Sequence, residues 1–313
     1  MWLVGAYTAD MDGTASGIIA LRERADGSLE VDRVVATAAS PSYLAASADA
    51  LYAVAEGTGE IVAFSRDFER IATAGAGGDA PCHIGVYGST VVVSNYVSGT
   101  LGVLATEPLE LTQVVDATGS GPHAVQDGPH AHGTLELPSG RILSADLGAD
   151  RLHVHELVDG VLARLYSIEV PAGTGPRDMA LLPSGAVLVL GELSGEVLFF
   201  TEELEIASST AIPGFVVGDH AAGLTVHGHH VYTALRGSNR LGILEFSGGS
   251  LVGVDFVSSE GDWPRHHAVD GDVLHVANQL SSTVASFTLA GDGIPRLIAP
   301  PTAVPSPTFL LRF

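Results

Sequence analysis

One stretch of the chain reads Pro176-Arg177-Asp178-Met179, and it leads into two apolar runs, Val187–Glu192 and Glu196–Phe200. The runs are five or six residues long, rich in branched side chains and joined by Leu193-Ser194-Gly195, which is typical of a β-hairpin. The same proline–polar–any–apolar signal, degenerate in places, recurs in seven copies, which begin at Pro41, Pro81, Pro129, Pro176, Asp219, Pro264 and Pro305. Successive copies begin 40, 48, 47, 43, 45 and 41 residues apart.

This repeat predicts the fold. A period near 45 residues with about four strands is typical of a propeller blade, whereas no segment shows the 3.6-residue apolar period of a helix. The seventh copy ends after one strand, and matching runs stand at the other end of the chain, at Trp2–Tyr7 and Ile18–Arg22. We therefore predict an all-β, seven-bladed β-propeller with four-stranded antiparallel blades. The N-terminal strands should complete the last blade beside Phe309–Leu311 and close the ring, with residues 1–313 forming a single domain.

Composition restricts the partners. The net charge of −22 comes from 36 acidic residues against 14 arginines, without any lysine, so the surface should repel nucleic acid and anionic membranes. The N-terminal residues lack the basic and apolar regions of a signal peptide, and no apolar run approaches the length of a membrane span. Because Cys82 is the single cysteine, an intramolecular disulfide is excluded. A cytoplasmic protein is expected, and the oligomeric state stays open.

The repeat also predicts which residues line the central channel. Alternate residues of each inner strand share one face, so the residues that follow the prolines should form one layer. These are Ser42, Cys82, His130, Arg177, His220, Arg265 and Ser306. His132 and His267 should lie on the same face, two positions further on. A second ring is expected at Glu56, Asn95, Asp146, Glu192, Leu235 and Asn278, with Arg236 beside Leu235.

Histidine or arginine occupies four of the seven positions in the first layer, which predicts a cationic pocket. Arginine suits bidentate binding of carboxylate or phosphate. The alternative is that these polar side chains only satisfy one another in a wet channel. Two other histidines, His153 and His155, are expected at the surface, outside both rings.

The chain resembles the seven-bladed lactonase family that includes the propeller-type 6-phosphogluconolactonases and the fungal carboxy-muconate lactonising enzymes. The resemblance rests on an ordered set of short segments: Gly5-Ala6-Tyr7-Thr8, Leu51-Tyr52-Ala53-Val54-Ala55-Glu56, Pro81-Cys82-His83, Ser94-Asn95-Tyr96, Gly121-Pro122-His123, Pro129-His130-Ala131-His132, Asp146-Leu147-Gly148-Ala149-Asp150, Gly175-Pro176-Arg177, Gly191-Glu192-Leu193, Trp263-Pro264-Arg265 and Val276-Ala277-Asn278-Gln279. It implies a catalytic cluster of one histidine, two arginines and a glutamate. By motif these are His130 or His132, Arg177, Arg236 and Glu192.

The resemblance implies a lactonase acting on a sugar lactone, most simply 6-phosphogluconolactone, without a cofactor. His132, His130 or Glu192 would activate water, and Arg177 and Arg236 would stabilise the oxyanion or hold a substrate anion. Substrate binding is expected from Arg265 and His267 at the phosphate, and from Asn95, Asn278, Asp146 and Glu56. The chain departs from the family at Asp178, where a histidine is common, and at Ala234-Leu235-Arg236, where Ser-Asn-Arg is common.

Three questions stay open at this point. Phosphorylated, unphosphorylated and carboxylated lactones would each find an arginine. A metal-dependent lactonase is an alternative, because the second ring offers oxygen ligands that suit calcium or magnesium. Arginines beside those carboxylates disfavour it, and we predict no metal site. The remaining alternative is a ligand-binding propeller without chemistry, since fold alone does not establish function.

Overall fold

The regular structure is almost entirely β-strand in the computed structural model, which describes residues 1–247 and 249–313. Its one short helix is a 3-10 turn at Ala9–Met11. The strands are β1 Trp2–Ala6, β2 Ile18–Glu23, β3 Leu29–Ala36, β4 Leu44–Ala46, β5 Ala50–Ala55, β6 Glu60–Ser65, β7 Arg70–Gly75, β8 Pro81–Tyr87, β9 Thr90–Asn95, β10 Thr100–Thr106, β11 Leu109–Val115, β12 Ala131–Glu136, β13 Ile142–Asp146, β14 Arg151–Val158, β15 Val161–Glu169, β16 Pro176–Leu181, β17 Val187–Gly191, β18 Glu196–Phe200, β19 Ile206–Ala211, β20 His220–His227, β21 His230–Arg236, β22 Arg240–Ser247, β23 Ser250–Ser258, β24 Pro264–Asp270, β25 Val273–Asn278, β26 Thr283–Leu289, β27 Pro295–Leu297, β28 Thr302–Ala303 and β29 Pro307–Arg312.

These strands form seven antiparallel sheets, which are the blades of a β-propeller. Six sheets follow the chain from an inner to an outer strand: β4–β7, β8–β11, β12–β15, β16–β19, β20–β23 and β24–β27. The short strand β28 also pairs with β26, so that blade has five strands. The predicted all-β propeller with antiparallel blades is confirmed.

The seventh blade joins the two ends of the chain. Its order is β29-β1-β2-β3, with β29 innermost. Leu3 lies opposite Leu311 and Gly5 opposite Phe309, so the N-terminal strand pairs with the C-terminal one in the predicted place. This pairing removes the open sheet edges that the first and last blades would otherwise expose.

The core consists of seven apolar clusters, each packed between two neighbouring blades. The second strand of a blade is therefore buried on both faces, as along all of β5 and β17, whereas every residue of the outer strand β19 is exposed or only partly buried. Burial on both faces explains why the middle strands read as nearly continuous apolar runs.

The same double burial makes one sequence prediction wrong. His153 and His155 lie on β14, a third strand, and expose 4% and 0% of their surfaces instead of facing solvent. A serine hydroxyl hydrogen-bonds to one ring nitrogen of each, with Ser167 at 2.7 Å from His153 Nδ1 and Ser144 at 2.9 Å from His155 Nε2.

Candidate active site

A β-bulge near the start of the inner strand decides what faces the channel. In six of the seven blades the pairing between the inner strand and its neighbour skips one residue. The skipped residues are Cys82, His132, Arg177, Gly223, Arg265 and Thr308. A bulge interrupts the strict alternation of a strand, so two successive side chains can lie on one side.

The channel is accordingly lined by consecutive pairs of residues rather than alternate ones. They enclose a cavity of about 240 Å³. The first members of the pairs form what we call the upper layer: Ser42, Cys82, His132, Arg177, Gly223, Arg265 and Thr308. The second members form the deep belt: Tyr43, His83, Gly133, Asp178, Leu224, His266 and Phe309.

The bulge shows that His130 and His132 are not on one channel face. Ala131 takes the strand position that Pro176 takes in the next blade, which makes His132 the equivalent of Arg177. His130 lies outside the cavity lining, with Nδ1 2.8 Å from the carbonyl oxygen of Tyr96 and Nε2 3.2 Å from Asp127. Its ring stacks on Tyr96 at 4.6 Å. Both nitrogens of His130 are therefore engaged.

His220 and His267 are displaced for the same reason. Gly223 occupies the layer position expected for His220, which instead contacts Glu192. His267 is turned away from the cavity, with Nε2 donating to the carbonyl oxygen of Tyr232 at 3.0 Å. Its neighbour His266 lines the cavity in its place.

The expected second ring is displaced by one residue at three positions. Asn95, Asp146 and Asn278 pair directly with the first residues of their inner strands, whereas Glu192 comes one residue after such a position. A shift of one residue places a side chain on the opposite face of the sheet. The prediction that these three side chains line the pocket is therefore wrong.

Asn95, Asp146 and Asn278 instead hold backbone in place. Asn95 Nδ2 donates to the carbonyl oxygen of Ala76 at 3.0 Å, and Asn278 Nδ2 donates to that of Ser259 at 2.9 Å. Asp146 Oδ1 accepts from the amide of His130 at 2.9 Å. These contacts anchor the connections between blades.

Glu192 is the centre of a buried charge cluster and exposes 7% of its surface. Oε2 pairs with Arg177, and Oε1 receives a hydrogen bond from His220 Nδ1 at 2.9 Å. Arg236 Nη2 lies 2.8 Å from Oε1 as an ion pair whose angle falls short of a hydrogen bond. The guanidinium of Arg236 also lies 5.5 Å from the ring centroid of Trp263. The structure thus brings together Arg177, Glu192 and Arg236, with His220 as an unexpected fourth member.

The surroundings lower the pKa of both candidate bases, Glu192 and His132. Burial raises the pKa of Glu192, but Arg236 and Arg177 outweigh it and hold the pKa well below the usual value. Burial, with help from Arg177, lowers the pKa of His132 well below 6.5. Neither ring nitrogen of His132 hydrogen-bonds to another residue in ranges 1–247 and 249–313. At neutral pH, His132 is an uncharged imidazole open to the cavity, and Glu192 is a carboxylate of weak basicity.

Arg265 differs from the other two arginines. Its guanidinium lies over the ring of Tyr7 at 4.9 Å, and Gln279 Oε1 is a distant partner at 3.5 Å. Among the described residues no carboxylate lies within ion-pair distance of it. The nearby Glu56 is occupied by the hydroxyls of Tyr7, at 3.1 Å, and of Ser42. Arg265 is therefore available to an anion in the cavity.

The deep belt is aromatic on one side and acidic on the other. Tyr43 lies 4.5 Å from His83 and 4.0 Å from Phe309 between ring centroids, and His266 lies 4.1 Å from Phe309. Burial lowers the pKa of His83 to about 4 and raises the pKa of Tyr43, so both side chains are uncharged at pH 7. Asp178 Oδ1 and Oδ2 accept backbone N–H groups from Met179 and Leu224, both at 2.9 Å.

Comparison with known families identifies the chain. Residues 1–311 match the family described as "Lactonase, 7-bladed beta-propeller". The chain belongs to this lactonase family. As a member it is a lactone-hydrolysing enzyme, which confirms the predicted resemblance and the predicted enzyme class.

Relatives of this lactonase resemble it over nearly their whole length. The 6-phosphogluconolactonase of Bacillus subtilis is 31% identical over 297 residues, which cover 85% of this chain and 84% of the relative. A crystal structure of a Lactobacillus plantarum protein is 29% identical, with a TM-score of 0.91 and coverage of 99% and 98%. The periplasmic gluconolactonase of Pseudomonas aeruginosa is 25% identical, with a TM-score of 0.89 and coverage of 99% and 98%. Since one relative is periplasmic, the cytoplasmic location stays a prediction.

Within residues 1–247 and 249–313, no three His, Cys, Asp or Glu side chains are grouped so that they could hold a metal ion. The described part of the chain also contains no helix long and apolar enough to cross a membrane.

Sequence reasoning missed His220 as a Glu192 partner and missed most of the deep belt. The one available signal for the belt was position, because Tyr43, His83, Asp178 and His266 each directly follow a residue that the repeat had marked. A strictly alternating strand would have turned them away from the channel.

Proposed function

We propose that this lactonase hydrolyses 6-phosphogluconolactone. The observation that carries the proposal is the division of labour among three arginines, of which Arg177 and Arg265 line the cavity and Arg236 is joined to Arg177 through Glu192. Two are held on Glu192, beside the uncharged His132, and the third, Arg265, has no carboxylate partner among the described residues. One cavity therefore combines a base, a paired cationic site and a separate anion site. The name of the Bacillus subtilis relative supports the same substrate.

His132 is the proposed general base. It removes a proton from water as the water oxygen adds to the lactone carbonyl carbon, because its imidazole is neutral and open to the cavity. The tetrahedral intermediate then collapses with cleavage of the bond from the carbonyl carbon to the ring oxygen. Protonated His132 returns its proton to that oxygen, which leaves as a hydroxyl, and the product is the open-chain carboxylic acid.

Arg177 and Arg236 are the proposed oxyanion donors. Arg177, Arg236 and His220 hold both oxygens of Glu192, so this carboxylate is not free to accept a proton from water, and its contacts fix both guanidinium groups in one place. Donors that are already oriented stabilise charge that develops in the transition state without reorganising. Glu192 is therefore a positioning residue in this mechanism, and His130, with both nitrogens engaged, has no part in it.

Arg265 is the proposed phosphate ligand. It lies three blades from His132 around the ring, so the reacting carbonyl and the phosphate would occupy different parts of the cavity. A guanidinium without a carboxylate partner can bind phosphate through two hydrogen bonds. His266, the residue next to it, takes the place that the sequence had suggested for His267.

The test is the hydrolysis of 6-phosphogluconolactone by the purified protein, followed against its spontaneous opening. We expect clear acceleration, and a loss of at least about tenfold in His132→Gln and in Glu192→Gln, equivalent to roughly 1.4 kcal/mol of transition-state stabilisation. His123→Gln is the matched control, because His123 is exposed on a loop outside the cavity. Wild-type rates in both His132→Gln and Glu192→Gln would remove the site assignment.

A further inference from the structure

We propose that the deep belt binds the hydroxyl groups of the substrate and so selects a hydroxylated lactone over an alkyl or a carboxylated one. The proposal rests on the proposed function for where the substrate lies. It concerns binding rather than the chemical step, so it can be tested with a ligand that is not turned over.

The belt has two unlike sides. His83, Tyr43, Phe309 and His266 come from four neighbouring blades, and their rings follow one another at centroid distances of 4.5, 4.0 and 4.1 Å. Asp178 lies on β16, on the other side of the ring of blades. A ligand in the belt therefore has an aromatic wall on one side and a carboxyl group on the other.

Several polar atoms of the belt lack protein partners. Tyr43 lines the cavity, and its hydroxyl makes no hydrogen bond to the described residues. His266 Nδ1 accepts the amide of Leu310 at 3.2 Å, so the ring proton of the neutral imidazole is on Nε2, which has no partner among those residues either. Each Asp178 oxygen accepts only one N–H and retains a further lone pair. The belt thus offers two uncharged donors and one acceptor.

This set of groups suits a polyol better than an ion. A hydroxyl group both donates and accepts, so neighbouring hydroxyls can satisfy Asp178, Tyr43 and His266 together. An alkyl chain would leave those groups unpaired, which a polar pocket penalises strongly. A carboxylate on the lactone would lie near Asp178, where burial already raises the pKa of the carboxyl group and so disfavours negative charge. Because Arg265 immediately precedes His266, an anionic end bound there would leave the adjoining hydroxyls in the belt.

The experiment measures binding of two probes by calorimetry: glucitol 6-phosphate, and hexyl phosphate, which carries the same anion without hydroxyls. Wild-type protein should bind glucitol 6-phosphate more tightly. Tyr43→Phe removes a hydroxyl without a described protein partner, and it should weaken glucitol 6-phosphate binding about 2- to 10-fold while leaving hexyl phosphate unchanged. Tyr166→Phe is the matched control, since Tyr166 is 44% exposed on the outer strand β15.

Asp178→Asn is the second variant and should also weaken glucitol 6-phosphate selectively. Equal binding of both probes by wild-type protein, or equal losses for both in Tyr43→Phe, would overturn the belt assignment. Selective, Tyr43-dependent binding without acceleration of 6-phosphogluconolactone hydrolysis would support the belt and refute the proposed function. Accelerated hydrolysis of 6-phosphogluconolactone, together with unchanged glucitol 6-phosphate binding in Tyr43→Phe, would support the proposed function and refute the belt assignment.

Discussion

Acid should unfold this propeller through its buried histidines. His155, His267 and His275 expose 0%, 1% and 1% of their surfaces. Burial lowers the pKa of His155 to about 3 and the pKa values of His267 and His275 to about 4. In the unfolded chain an ordinary histidine has a pKa of about 6.5.

The direction of the effect follows from proton binding. Below pH 6.5 the unfolded chain takes up protons at these three positions, whereas the folded protein resists them until about pH 4, or about pH 3 at His155. The free energy of unfolding therefore has its full value above pH 6.5. It falls as the pH drops from 6.5 towards the pKa values of the folded protein. For each additional proton bound by the unfolded chain, the free energy of unfolding decreases by about 1.4 kcal/mol per pH unit. At pH 5 each of these histidines therefore lowers it by about 2 kcal/mol. Three such losses total about 6 kcal/mol, comparable to the whole stability of many proteins, about 5–15 kcal/mol.

The assay is urea unfolding at pH 7.5 and pH 5, followed by circular dichroism. We expect a free energy of unfolding lower by several kcal/mol at pH 5. In His275→Gln, whose amide can keep the contact with Ser286 Oγ, now 2.9 Å from His275 Nδ1, the difference should shrink by about 2 kcal/mol. The exposed control His123→Gln should show the wild-type difference. Equal free energies at the two pH values, or a His275→Gln variant as acid-sensitive as wild type, would refute the reasoning.

Three further predictions concern the reaction. Because its surroundings hold the pKa of His132 well below 6.5, the base stays unprotonated, and kcat/KM should be maintained from pH 8 to pH 6; a decline centred at pH 6.5 would contradict the assignment. Arg265→Gln should raise KM for 6-phosphogluconolactone about 10- to 100-fold with little effect on gluconolactone, and equal changes for both lactones would argue against a phosphate site. EDTA should leave the hydrolysis rate unchanged, whereas a loss that calcium or magnesium restores would establish the metal-dependent alternative.

The blades could be predicted from the sequence because the middle strands of each blade form short apolar runs between turns. The runs proposed at Val187–Glu192 and Glu196–Phe200 lie within one residue of β17 and β18. Middle strands are buried on both faces, so their apolar runs stand out from the turns. Ring closure was predictable for a related reason, since an incomplete last copy requires its missing strands elsewhere.

The channel lining was predicted less well because a bulge leaves no reliable mark in the sequence. The skipped residues include a cysteine, a histidine, a glycine and two arginines, which share no property. Aligning the copies on the proline signal also misplaced three blades, because Ala131, Ala222 and Pro307 take the position that Pro176 occupies, so that Thr308 lines the cavity where Ser306 was expected. Arg177 and Arg265 were placed correctly because, in their two blades, the proline is also the first residue of the inner strand.

The bulge that defeats simple alternation also accounts for the two layers of the site. In an undistorted strand, residues on one face are two positions apart, roughly 6.7 Å, whereas successive residues are separated by a rise of only about 3.3 Å. Pairs such as Arg177 with Asp178 and Arg265 with His266 can therefore contact different substituents of one sugar ring. If the upper layer performs the chemistry and the deep belt binds hydroxyls, substitutions should separate by layer. His132→Gln should lower kcat, Tyr43→Phe should raise KM, and a Tyr43→Phe variant with reduced kcat and unchanged KM would show that the layers do not divide the work in this way.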